Sequence, residues 1–313
     1  MNDQAEARGF GATRILFGVI WAVNTYLQTS PAYAAHFLKM FGADTVTGQP
    51  HWVVVYGKWA AGIVGAMGAV SVAHVTIMID GLLALSLLTG LGFPTMGWVG
   101  LIYNLWLWST IGGFGGPYTK GVTDPGTAII YALCFFLVIA TRAWQSVSLA
   151  RRPPQTVNLN ALHAGRIAFG LLWLFDAFWK WQPFFLHHVL SYLKQARLGE
   201  PAWIKAYIEF FIHVLTAIGP LTFGVAAALA ETAIAISLLM NIALRWMIPF
   251  GIVYSLGIWT TAEGWGAPYG AGFTANKGDV LGTTNIYVIA FLFIAANVYL
   301  NNKEKFNRNT KFL

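Results

Sequence analysis

The stretch FDAFWKWQP, residues 175–183, closes a run that is otherwise apolar, HAGRIAFGLLWLFDAFWKWQP. Asp176 and Lys180 stand one helical turn apart with the acid first, the favourable order for a helical ion pair. Two more carboxylates, Asp80 and Glu231, sit early in other apolar runs. A charge at mid-membrane costs roughly 2.5–3.5 kcal/mol on insertion scales, so it turns inward and takes a partner. Asp176 and Lys180 therefore read as a mutually neutralising pair with a function, or as a lysine reaching for the membrane surface. Asp80 and Glu231 read as proton-exchanging groups or as hydrogen bonds between helices.

The elements that carry these groups belong to a membrane protein. Of 313 residues, 57% are hydrophobic and only 10% charged, and mean hydropathy is +0.60. A soluble domain is about 25% charged. The 14 Trp and 22 Phe gather at the ends of apolar runs, as an aromatic belt does. The net charge of +7 is spread over loops rather than clustered with aromatics, so nucleic acid is not an expected partner. The polar start MNDQAEARGFGATR shows no cleavable signal. The single cysteine, Cys134, excludes an internal disulfide and any multi-cysteine centre, and reads as a buried inert thiol. The seven histidines form no ligand pattern, so no metal or haem is expected.

The chain is written twice. RILFGVIWAVN at 14–24 lies over RIAFGLLWLFD at 166–176, Pro31 over Pro183 and His36 over His188. GGFGGPYTKG at 112–121 lies over EGWGAPYGAG at 263–272, and GTAIIYALCFFLVIA over GTTNIYVIAFLFIAA. Residues 1–148 and 163–300 thus form two copies, joined by the Arg- and Pro-rich linker 149–162 and followed by a basic tail, 301–313. In this register Asn24 and Gln28 match Asp176 and Lys180, Asp80 matches Glu231, and Gly112 matches Glu263. The first copy tolerates neutral residues where the second is charged, so the scaffold does not demand those charges and function is a reason to keep them.

Each copy holds four runs able to span: 14–30, 72–92, 96–112 and 127–146, then 166–182, 221–241, 246–262 and 283–300. This predicts an all-α integral membrane protein of two tandem four-helix bundles, eight spans in all. One interfacial amphipathic helix is added per copy, at 52–69 and 203–218. In the latter Lys205, Glu209 and His213 form a polar stripe, with Trp203, Phe210, Val214 and Ile218 opposite as the single apolar face of a helix lying along the membrane surface. Were these segments to span, the second copy would be inverted. Of the 19 Lys and Arg, eleven lie on the side of the termini, concentrated in short loops and tails, which sets the termini in the cytoplasm of a prokaryotic cell.

The repeated unit, with its R-I-x-x-G-x-x-W first helix and the stretch GFGGPYTKGVTDPGTAIIYAL at 113–133, resembles the DoxX/DoxD group of small membrane proteins. The likeness covers nearly the whole chain and is nearest to the DoxD subunit of thiosulfate:quinone oxidoreductases. It implies oxidation of two thiosulfates to tetrathionate, with membrane quinone as electron acceptor; another small sulfur oxyanion is the alternative donor. A DoxA-like small subunit or a second copy is the implied protein partner. The alternatives are a non-catalytic subunit of a respiratory complex and a small-anion transporter.

Thiosulfate is a dianion and needs cations or N–H donors. The expected outer pocket uses Lys180, Arg197, Lys120, Tyr118, Tyr269, Glu263 and the backbone around Gly266. Quinone reduction needs an apolar slot with protonatable groups, for which Glu231, Asp176 and His213 are candidates. Trp106, Trp108 and Trp259 are candidates for stacking on the quinone ring, with helix packing as the alternative use. Asp176, Lys180 and Glu231 are the expected catalytic residues, and Trp259 is placed between the donor pocket and the quinone.

Overall fold

A computed structural model describes residues 2–41, 47–118, 121–149, 157–266 and 281–310. Among them lie twelve α-helices and no strand. The first half contains α1 (Asn2–Gln28), α2 (Pro31–Phe41), α3 (His51–Met67), α4 (Ala69–Thr89), α5 (Thr95–Ser109) and α6 (Thr127–Thr141). The second contains α7 (Leu159–Lys180), α8 (Pro183–Ala196), α9 (Ala202–Ile218), α10 (Pro220–Met240), α11 (Leu244–Thr261) and α12 (Thr284–Thr310). Short 3-10 turns at Gly113–Gly115 and Gly264–Gly266 follow α5 and α11.

Among the described residues, four helices are long and apolar enough to cross a membrane: Ala7–Gln28 of α1, then α4, α7 and α10. Helix α6 and the Thr284–Ala296 part of α12 are shorter but apolar. The outer surface has a membrane protein's polarity. Val75, Met78, Leu82 and Leu85 along α4, and Leu221, Leu229 and Ile236 on α10, are exposed on the protein's outside. Apolar faces of this extent are not left to water.

The pairing recurs in each half: α1 packs against α4 and α5 against α6, then α7 against α10 and α11 against α12. Helix α6 is buried nearly all round, from Ile130 and Tyr131 to Leu137 and Val138, and packs directly on α12. One core therefore runs through both halves, with Phe17, Trp21 and Phe135 in the first and Phe169, Trp173 and Phe291 in the second. Between lipid-embedded helices, close packing replaces the hydrophobic effect as the driving force, and small residues permit it. A Cβ on Gly251 of α11 would come within 2.2 Å of the Phe291 ring.

The arginine that opens each repeat motif has a structural role. Arg14 is wholly buried and donates from Nη2 to the Val147 carbonyl at 2.7 Å. Arg166 donates from Nη1 to the Leu238 carbonyl, in the last turn of α10. A cation there answers the unpaired carbonyls of a helix C-terminus.

Two sequence expectations change. Helices α2 and α8 are additional, so each half has two helices beyond the runs predicted to span, not one. On α9 the buried face is Ile204, Ile208, Ile212 and Leu215, whereas Trp203, Phe210 and Ile218 are exposed. The helix is apolar on two faces with its polar stripe between them, so its spacing alone does not say which apolar face turns inward.

Candidate functional site

Helices α7 to α12, with Thr123 and Asp124 from the first half, line a cavity of about 340 Å³. Its walls are mostly apolar, with Trp173, Phe185, Leu193, Phe211, Phe223 and Ile258 among them. Its polar end is formed by Asp176, Lys180, Glu231, Tyr254 and Tyr287. Asp176 and Lys180 reach it from the last two turns of α7, and Glu231 from the middle of α10.

Lys180 does not pair with Asp176. Its Nζ lies 2.6 Å from Glu231 Oε1, and both side chains are almost wholly buried. Tyr254 donates its hydroxyl to the same Glu231 oxygen at 3.0 Å. Asp176 takes the Tyr287 hydroxyl on Oδ2 at 2.7 Å. The opposite oxygens, Asp176 Oδ1 and Glu231 Oε2, have no hydrogen-bond partner among the described residues. The polar end thus holds one ammonium, two carboxylates and two phenols, with acceptor capacity to spare. The Lys180 ammonium also sits 5.5 Å above the Phe185 ring, a favourable cation–π position.

The first half supplies part of the cavity wall. Tyr118 stacks its ring on Trp179 at 5.1 Å and meets Phe175 edge-on at 4.9 Å, both on α7, and donates its hydroxyl to the Phe114 carbonyl at 2.6 Å. Tyr192 of α8 donates to the Gly121 carbonyl, and Thr123 and Asp124 then line the cavity. Burial first, and then the Asp124 and Asp176 carboxylates, push the Tyr118 hydroxyl above the usual tyrosine range, so it stays a donor.

A second cavity, of about 460 Å³, occupies the matching place in the first half. Asn24, Gln28, Asp80, Tyr103 and Tyr131 line it, at positions that match Asp176, Lys180, Glu231, Tyr254 and Tyr287. Asp124 and Glu263 line both cavities.

Compared with protein-family models, curated proteins and solved structures, the chain matches none. Its chemistry is therefore read from its own residues.

The other sequence candidates scatter. Arg197 pairs with Glu209 and lines a separate surface depression with Lys194. His213 is exposed on α9, with Nδ1 2.9 Å from the Glu209 carbonyl. Trp108 donates its indole N–H to the Pro125 carbonyl at 2.7 Å, and Trp259 to the Leu281 carbonyl at 2.8 Å. Each ties the end of α5 or α11 to the segment that enters α6 or α12. Trp106 packs on Tyr103 and Phe41. None of the three tryptophans lines either cavity. Glu263 accepts from the backbone N–H groups of Thr283 and Thr284 at 2.9 and 3.2 Å, which caps the start of α12. Gly266, at φ +79°, meets the Leu281 backbone so closely that an added Cβ would lie 2.2 Å from its carbonyl oxygen. Backbone crowding explains that glycine. Cys134 is buried beside the Ile286 carbonyl. Tyr269 and Lys120 lie outside the described residues.

Among the described residues, Lys180 and Arg197 thus face different spaces, and the expected anion pocket is not assembled around them. Sequence reasoning missed Tyr254, Tyr287 and Asp124. The signal was there for the tyrosines, since Tyr103 and Tyr131 stand at the matching positions of the first half.

Proposed function

We propose that this chain is a membrane-bound oxidoreductase, or the membrane subunit of one, and that its second-half cavity takes the head group of a membrane quinone. The supporting observation is the Lys180–Glu231–Tyr254 and Asp176–Tyr287 cluster at the end of an apolar cavity of about 340 Å³. A quinone ring needs flat apolar walls, donors for its carbonyl oxygens, and carboxylates that supply protons as electrons arrive. The Lys180 ammonium and the phenols are the donors, and Asp176 and Glu231 are the proton carriers.

The electron donor is a small sulfur oxyanion, thiosulfate first, on the strength of the DoxX/DoxD resemblance. Two thiosulfates lose two electrons and join through a new S–S bond as tetrathionate. Quinone takes the two electrons and two protons and becomes quinol. Asp124, Asp176, Glu231 and Glu263 outnumber Lys180 around the cavity, so a dianion is repelled from it and is oxidised nearer the surface. The same excess disfavours an anion transporter. In this reading α1, α4, α5, α6, α7, α10, α11 and α12 all cross the bilayer in two like-oriented sets of four. Helices α2, α3, α8 and α9 lie along its outer face, and the termini are cytoplasmic in a prokaryotic membrane.

The deciding experiment uses the purified chain in proteoliposomes. Thiosulfate-dependent quinol formation is expected, with saturable quenching of Trp173 or Trp179 fluorescence by quinone. Absence of both quinone binding and turnover overturns the reading. Binding without turnover points to a missing partner subunit of the DoxA kind.

A further inference from the structure

The first-half cavity contains an acceptor site that its counterpart fills with its own lysine. Asp80, in the place of Glu231, is 3% exposed. Tyr103 and Gln28 face its carboxylate. Among the described residues its Oδ1 has no hydrogen-bond partner, and no cationic side chain pairs with it. Gln28, Asn104 and Trp21 line the same cavity, and Gln28 Oε1, Asn104 Oδ1 and the Trp21 indole N–H are likewise buried without a partner among the described residues. The orientation of the Asn104 amide is set, because its Nδ2 donates to the Gly100 carbonyl at 2.7 Å. Three buried oxygens without donors, one of them a carboxylate, cost several kcal/mol in an apolar interior unless something donates to them.

The surroundings narrow what that something is. The rings of Trp21, Tyr33, Tyr103 and Tyr131 line the cavity, with Trp21 and Tyr131 in edge contact at 4.5 Å. Aromatic faces attract cations. The second half shows which cation fits, since the Lys180 ammonium lies 2.6 Å from Glu231 and over the Phe185 ring. In the first half Gln28 replaces the lysine and Tyr33 the phenylalanine, while the carboxylate and its facing tyrosine are retained.

We infer that the first-half cavity binds a primary-ammonium ligand, a small organic amine in its protonated form. Its charge meets Asp80, its three N–H groups meet the oxygens of Asp80, Gln28 and Asn104, and its alkyl part lies among the aromatic rings. A primary ammonium has three donors, one for each of the three unpartnered oxygens. At about 460 Å³ the cavity has room for a carbon chain behind the charge. The ammonium site stands whether or not the second cavity takes a quinone.

The test is thermal unfolding of the full chain in detergent with n-propylammonium chloride. The wild-type Tm should rise saturably, by on the order of 5 °C at a hundredfold excess over Kd. Sodium chloride and tetramethylammonium chloride at equal concentration should not reproduce the rise, because neither cation donates N–H groups. Gln28→Lys, which places an ammonium beside Asp80 as the second half does beside Glu231, should abolish the response with helix content intact. Asp80→Asn should abolish it too, and if that variant fails to fold, Gln28→Lys decides. No rise in the wild type, an equal rise with either control salt, or a rise retained in Gln28→Lys would overturn the inference.

Discussion

The hydroxyls of Thr127 and Thr283 meet at 2.6 Å, buried between α6 and α12. In the repeat register these are the same residue, the threonine of GTAIIY and of GTTNIY. A two-fold relation between the halves would place such a self-matching contact on its axis. Further along, Cys134 of α6 reaches the Ile286 carbonyl of α12, so the two helices run side by side from a common end. Inverted halves would point them apart. Paired cysteines at 127 and 283, in a Cys134→Ala background, should therefore cross-link readily, because the two side-chain tips already touch. Cleavage in the linker at 150–156 followed by non-reducing electrophoresis reads the result, and separation of the two fragments counts against the two-fold.

Lys180 neutralises Glu231 where water is excluded. Lys180→Gln alone strands a buried carboxylate and should cost about 3–5 kcal/mol. Glu231→Gln alone strands the ammonium at a similar cost. The double variant should recover most of the loss, since the first half is already built with Gln28 at the lysine position. A double-mutant cycle on Tm measures this. Additive losses would mean that the two charges are not coupled.

Asp176 is the better probe of turnover, because the first half folds with Asn24 in its place. Asp176→Asn should leave helix content unchanged and reduce thiosulfate-dependent quinone reduction by about 100-fold, the usual scale for loss of a proton-transfer group. Asn24→Ala should cost far less. Equal losses from both would place the chemistry at a site shared by the halves.

Tyr118 joins the halves through its stack on Trp179 and its edge contact with Phe175. Tyr118→Ala should lower stability by about 1–3 kcal/mol, from two aromatic contacts at roughly 0.5–1.5 kcal/mol each, and should raise the KM for quinone. An unchanged KM would mean that the segment 121–126 does not cover the site in solution.

The same residue gives a pH signature. Burial raises the Tyr118 pKa on folding, so the folded chain holds that proton more tightly than the unfolded chain. The stabilisation is complete below the ordinary tyrosine pKa and declines as pH rises through the higher folded value. Wild-type Tm should therefore fall in strong alkali with a steeper slope than Tyr118→Phe shows. Parallel slopes would place the Tyr118 hydroxyl in contact with water.

The sequence by itself determined the helical, membrane-soluble character, the doubled pattern and the positions of Asp80, Asp176, Lys180 and Glu231. These are matters of composition and period, which local chemistry sets. It also exposed the asymmetry between the copies, since alignment needs no coordinates. Only the tertiary structure decided which charges meet. The i,i+4 spacing put Lys180 and Asp176 on one face of α7, but a lysine tip chooses among every carboxylate within reach. The packing of α7 on α10 brings Glu231 closer, while Tyr287 from α12 satisfies Asp176. The same holds for Tyr118, which leaves its own half to pack on α7 of the other, and for Trp108 and Trp259, whose N–H groups are held by nearby carbonyls. Such contacts join residues far apart in the chain, and no periodicity in the sequence records them.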